Sequence, residues 1–158
     1  RETRTVGRGI GAGLSVAKVF LNTNVFVYAA DRSDPAKNAK AVALIKQMRR
    51  QRHAVISTQV LAELYSVATS KLGISAANAH RLISEASHCE TVLLRPVHVL
   101  GAAELSQRAQ ISIWDALIVS AAKAGKCSHL YTEDLQDGQS FDGVTIVNPF
   151  TPSPERAT

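Results

Sequence analysis

Short apolar runs alternate with longer amphipathic ones along this chain. Residues 18–22 and 25–28 are rich in Val, Phe and Tyr, which places the start of a first strand near Lys18. Asp34-Pro35 reads as a helix start, Asp as the cap and Pro in the first turn. Ala41, Val42, Leu44, Ile45 and Met48 then follow at helical spacing. "AVIS" (54–57) reads as a short buried strand. Thr58 is placed to cap the next helix, "TQVLAELYSVATSKLG", which Gly73 stops. Ser75 caps another helix reaching about His88. "TVLL" (91–94) is a strand closed by Arg95-Pro96. Helices follow over 98–109 and over "SIWDALIVSAAKAGK", which stops at Gly125. "SHLYT" (128–132) is a strand, "EDLQDGQSFDG" a polar loop, and "VTIVNP" (144–149) a last strand.

Short apolar strands separated by helices predict an α/β fold, with a mainly parallel central sheet and helices on both faces. The 158 residues suit one domain with a real core. We expect that domain over 18–150. Residues 1–17, "RETRTVGRGIGAGLSVA", read as a flexible arm or an appended leader, and 151–158 as a tail. No apolar run approaches the roughly 20 residues of a membrane span, and the first 17 lack a secretory core.

The formal charge is +5, which hints at an anionic partner. Its placement weakens the hint. Residues 1–18 hold four Lys/Arg and one Glu, and the other 140 hold 14 basic and 12 acidic groups, a net of only +2. A basic arm that touches RNA is the functional reading of residues 1–17. Cys89 and Cys127 fit reduced thiols in a cytoplasmic protein.

In parallel α/β folds, ligands bind beyond the carboxyl ends of the strands. The polar groups expected there are Asn22 and Asn24 after the first strand, Glu63 early in a helix, and Asp115 beside Trp114. Asp134 follows "HLYT", with Glu133 and Asp137 nearby. Glu63 and Asp115 sit among apolar neighbours, where an acid is costly unless paired or metal-bound. One such acid alone is better explained as a solvated or helix-capping group. Their recurrence at equivalent places favours a shared site. The five His are scattered and no His/Cys cluster supports zinc, so an all-oxygen set points to Mg²⁺ or Mn²⁺. Neither a G-x-x-x-x-G-K-[ST] loop nor a G-x-S-x-G elbow is present.

"VFLNTNVFVYAAD", "ISTQVLAELYSVATSKLG", "WDALIVSAAKAGKCSHLYTEDLQDGQ" and "VTIVNPF", in this order over roughly residues 19–150, resemble PIN-domain ribonucleases. Specifically, they resemble the VapC-type toxins of bacterial toxin–antitoxin modules. The resemblance implies a PIN-like fold, Mg²⁺- or Mn²⁺-dependent RNA cleavage, a homodimer and a small antitoxin partner. The family's first metal-site Asp falls on Asn22, its helix Glu on Glu63, and its third and fourth acids on Asp115 and Asp134. Asp137 matches a further acid of some members, and Asn24 and Thr132 match bracing polar residues. The metal would rest on positions 22, 115 and 134.

The departure is Asn22, where the pattern "LDTN" reads "LNTN". An amide brings no charge, and changes to mere supporting groups already cost about 10- to 100-fold in metal affinity or activity. The intact remainder favours a recent or deliberate Asp-to-Asn change over a naturally inactive member. The competing readings are a non-catalytic RNA- or antitoxin-binding module and, more remotely, a haloacid-dehalogenase-like phosphatase using Lys123 or Lys126. The Arg49, Arg50 and Arg52 run is a candidate phosphate-holding rim for the acid cleft, against the plainer reading of a solvated helix end.

Overall fold

The fold comes from a computed structural model that describes residues 17–152. The expected arm and tail lie almost wholly outside those residues. Among the described residues six strands form one sheet in the order β3-β2-β1-β4-β6-β5. They are β1 (Lys18–Leu21), β2 (Ala54–Ser57), β3 (Glu90–Val92), β4 (Cys127–Tyr131), β5 (Ser140–Phe141) and β6 (Val144–Val147). All neighbouring pairs are parallel except β5 with β6. The helices of the described residues are α1 (Thr23–Ala30), α2 (Pro35–Arg50), α3 (Thr58–Ser70), α4 (Ala76–Ala86), α5 (Pro96–Ala109) and α6 (Ile113–Ala124). The α/β architecture with a mainly parallel sheet is as the hydrophobic pattern predicted.

Strand order places the site. The chain runs outward from β1 to β2 and β3, then returns to the other side of β1 with β4. The carboxyl ends of β1 and β4 therefore flank the point where the winding reverses, the usual crevice of such sheets. Phe20, Leu21, Val55, Ile56, Leu130 and Ile146 are fully buried at the centre of the core. All four residues of β2 are buried, so both faces of the sheet are covered there. Gly125 ends α6 where a methyl group would meet Val55 Cγ1 at 2.9 Å and Val92 Cγ2 at 3.2 Å. Only a residue without a side chain lets the helix end press onto β2 and β3.

Four details depart from the sequence reading. The run 25–28 belongs to α1, although its Val, Phe and Tyr are strand formers; Asn22 caps that helix by accepting the Thr23 N–H at 2.7 Å. The cap of α3 is Ser57, whose hydroxyl accepts from the Val60 N–H; Thr58 is already helical. The polar loop after β4 hides β5, too short to show a period. The third strand covers Glu90–Val92 instead of 91–94.

Candidate functional site

Two strand ends and three helices deliver polar groups to one cleft. Asn22 leaves β1 and is 4% exposed, buried with Thr132, which leaves β4. The orientation of the Asn22 amide is fixed by chemistry. Its Oδ1 accepts the backbone N–H of Thr23, a group that can only donate. Its Nδ2 therefore faces the cleft, donating to Thr132 Oγ1 at 2.9 Å and to Asp134 Oδ2 at 3.3 Å. Thr132 Oγ1 also accepts from Asn24 Nδ2 at 3.2 Å and from the Asp134 N–H at 3.1 Å.

Glu63 projects from the second turn of α3 and both its oxygens are engaged. Thr23 Oγ1 donates to one at 2.8 Å and Gln59 Nε2 to the other at 2.6 Å. Asp115 lies in the first turn of α6, its N–H capped by Ser112 Oγ at 3.1 Å. The Asp134 residue is solvent-accessible as a whole, yet its carboxylate is crowded. Desolvation, then the charge of Asp115, raise its pKa above the ordinary Asp value; Asn24 counters this by hydrogen bonding, and the charges of Glu133 and Glu63 add to the rise. The charges of Asp115 and Glu63 thus both reach Asp134.

Asp137 and the Arg49–Arg52 run have other surroundings. Asp137 is exposed and accepts the Asn148 N–H at 2.8 Å, a link that closes the loop onto the end of β6. The Arg49–Arg52 run does not form the expected rim. It closes α2 immediately before β2, so it stands at the amino edge of the sheet, opposite the acids.

Other residues join without having been singled out. A groove of about 320 Å³ beside the acids is lined by Thr23, Tyr28, Val67 and Lys71 as well as Glu63 and Asp134. Tyr28 donates to Glu133, and Lys37 Nζ reaches Glu133 at 3.2 Å and the Tyr28 hydroxyl at 3.1 Å. The hydrogen bond to Glu133 is the main reason the Tyr28 pKa is raised, and those to Tyr28 and then Glu133 raise that of Lys37. Gln59 was legible, because it sits one helical turn before Glu63 on the same face.

The donor set suits a hard cation at reduced strength. All its oxygens are hard donors, and Asn24 Oδ1 and Gln59 Oε1 are buried acceptors without a partner. With Glu63 hydrogen-bonded at both oxygens and Asn22 presenting nitrogen, Asp115 and Asp134 are the carboxylates that could hold such an ion. Among the described residues no three His, Cys, Asp or Glu side chains form a metal-binding group. Mg²⁺ typically takes one or two carboxylates and fills its shell with water and phosphate.

The PIN domain family matches residues 19–137, and the chain belongs to that family. No curated protein matches the chain by sequence. Solved structures share the fold. VapBC2 of Rickettsia felis, bound to a promoter DNA fragment, is 23% identical with a TM-score of 0.59 over 81% of this chain and 96% of that one. A toxin–antitoxin complex of Klebsiella pneumoniae is 17% identical with a TM-score of 0.60, covering 84% and 98%. VapC20 of Mycobacterium tuberculosis, a toxin that cleaves the sarcin–ricin loop, is 16% identical with a TM-score of 0.54, covering 72% and 87%.

Proposed function

We propose that the chain is a toxin-type PIN endoribonuclease, dependent on Mg²⁺ or Mn²⁺ and attenuated by Asn22. The observation that carries this reading is the meeting of Glu63, Asp115 and Asp134 at the carboxyl ends of parallel strands, with Asp134 held above its ordinary pKa. Keeping mutually repelling carboxylates together costs stability, and a cation recovers it. Asp115 and Asp134 would hold the ion, which supplies charge neutralisation at a phosphodiester and a more acidic bound water. The chain's own residues orient: Thr132 braces Asp134, and Thr23 and Gln59 fix Glu63. Lys71, on the groove wall, is placed to meet a phosphate.

A small antitoxin and a second copy of the chain are the proposed protein partners. Leu93, Val97, Leu100 and Trp114 are each about two-thirds exposed, at 67, 66, 66 and 65%. They lie on α5, just before it and at the start of α6, and are the residues proposed to meet such a partner. Trp114 adjoins Asp115, so a segment covering it also reaches the cleft. No helix among the described residues is long and apolar enough to cross a membrane.

A second reading, a binding module without chemistry, is favoured by the Asn22 Nδ2 directed at Asp134. One experiment separates the two: RNA cleavage with Mg²⁺ or Mn²⁺ by this chain and by Asn22→Asp. Slow cleavage that Asn22→Asp accelerates supports the nuclease. No cleavage by either supports the module.

A further inference from the structure

The amino edge of the sheet carries a second cleft, about 420 Å³, lined by Arg49, Arg52, Ala54, His88, Cys89 and Glu90. Arg52 stands in it with φ at 55°. Its N–H donates to Arg49 O at 3.1 Å, and the His53 N–H donates to Met48 O at 2.9 Å. This paired ending of a helix usually has Gly in the left-handed seat, because a side chain there is strained. The end of α6 repeats the choice with Lys126, φ 57°, just before β4. Lys18 opens β1. Because β2, β1 and β4 are neighbours in the sheet, basic residues mark the entrances of three adjacent strands.

Helix ends attract cations through the helix dipole, and Arg49 and Arg50 in the last turn of α2 already serve that role. The dipole does not require an Arg in a glycine seat beside a cavity. The local carboxylates are also mostly occupied. Glu90 is held by Lys18 at 2.9 Å, and Glu85 lies 3.9 Å from Arg49. Among the described residues, no carboxylate lies within 4.0 Å of Arg52 or Lys126. The opposite edge has the reverse problem: its acids repel phosphate, and Lys37 is committed to Glu133.

We propose that this amino-edge cleft is a phosphodiester-binding site, with Arg49 and Arg52 as its phosphate contacts, that anchors RNA remote from the acid cleft. The proposal rests on RNA being the substrate. Strands of four or five residues at roughly 3.3 Å per residue separate the two edges by about 15 Å along the strand direction, and RNA that reaches both must pass outside the helices that cover the sheet. The anchor adds affinity away from the acid cluster, and it needs no metal.

The test is fluorescence anisotropy with a labelled single-stranded RNA, in chelator to stop cleavage, over a series of salt concentrations. The proteins are this chain, Arg52→Gly, the double variant Arg49→Gln with Arg52→Gly, and Arg108→Gln as a surface-charge control. Arg52→Gly relieves the backbone, so its melting temperature stays level or rises and lost binding is not lost folding. The double variant should bind at least tenfold more weakly at low salt, with the salt slope reduced by about 0.7 per contact removed, while Arg108→Gln binds as the parent does. Parent-like affinity and slope in the double variant would overturn the anchor and leave the nuclease reading standing. An equal loss in Arg108→Gln would overturn it as general charge attraction. If the parent itself binds no RNA, the anchor and the RNA substrate fall together.

Discussion

The Asn22 amide nitrogen lies 3.3 Å from Oδ2 of Asp134, so a neutral N–H points where the resembling nucleases would place a negative oxygen. It gives Asp134 a hydrogen-bond donor without a counter-charge.

Asn22→Asp should reverse this. The added carboxylate would give a third oxygen beside the proposed ligands Asp115 and Asp134, and metal affinity and RNA cleavage should rise by about tenfold or more, taking the effect of supporting groups as a floor. Without metal the variant should be less stable by about 1 kcal/mol or more, because a new like charge joins the cluster. Mg²⁺ should then raise its melting temperature more than it raises that of this chain, since a ligand stabilises the state it binds. Thermal melts with and without Mg²⁺ read the binding, and cleavage of total RNA reads the chemistry. Equal metal-induced shifts in the two proteins would mean that position 22 does not govern the ion.

Thr132 is the acceptor for three donors: Asn22 Nδ2, Asn24 Nδ2 and the Asp134 N–H. Thr132→Val keeps the shape and leaves those donors short of a partner at a fully buried position. We expect a loss of about 2–4 kcal/mol, at roughly 1–3 for each buried group left unsatisfied. Thr132→Ser should restore most of it. Urea unfolding of the three proteins checks this, and a Val variant as stable as the parent would remove Thr132 from its bracing role.

The sheet was legible because its strands are short Val- and Ile-rich runs bounded by turn residues, and "AVIS" matched β2 at both ends. α1 was not, because Val25, Phe26 and Tyr28 favour strands, and only the cap at Asn22 turns the chain into a helix. The place of Arg49–Arg52 could have been deduced. A helix that joins two parallel strands must end at the amino edge, where the next strand starts. The groups that hold Glu63 were partly hidden, since Thr23 meets it across 40 residues of sequence. Asp137 followed family resemblance, and its bond to Asn148 depends on loop closure that the local sequence does not disclose.

Gly125→Ala tests the pressing of α6 onto the sheet. The added methyl would stand 2.9 Å from Val55 Cγ1, closer than real contacts allow. Either Val55 and Val92 shift or the helix end lifts, at a cost of about 1–3 kcal/mol for overpacking. The backbone there has φ of −77°, so no left-handed strain confuses the result. Chemical denaturation measures the loss, and a gain in stability, as expected of a helix-favouring Ala, would show that the contact is soft.

The two buried thiols give a pH signature. Burial pushes Cys89 upward and Cys127 up to about 12, with the Glu90 charge adding to the latter. A thiol held neutral is a poor nucleophile, so the native protein at pH 8 should not react with a disulfide reagent, and both thiols should react once guanidinium unfolds it. The sign of the stability effect follows from proton counts. Below about pH 8.5, the ordinary Cys value, both folded and unfolded thiols are protonated and the group contributes no pH dependence. Above it, the unfolded thiol ionises while the folded one keeps its proton, so the unfolded state binds fewer protons and stability falls as pH rises. For Cys127 that fall continues to about pH 12. Cys127→Ala carries a constant cavity cost but lacks this slope, so the stability gap between parent and variant should narrow as pH rises from 9 to 11. A gap that stays constant over that range, or prompt native-state labelling of Cys127, would show that the thiol is not held neutral by the core.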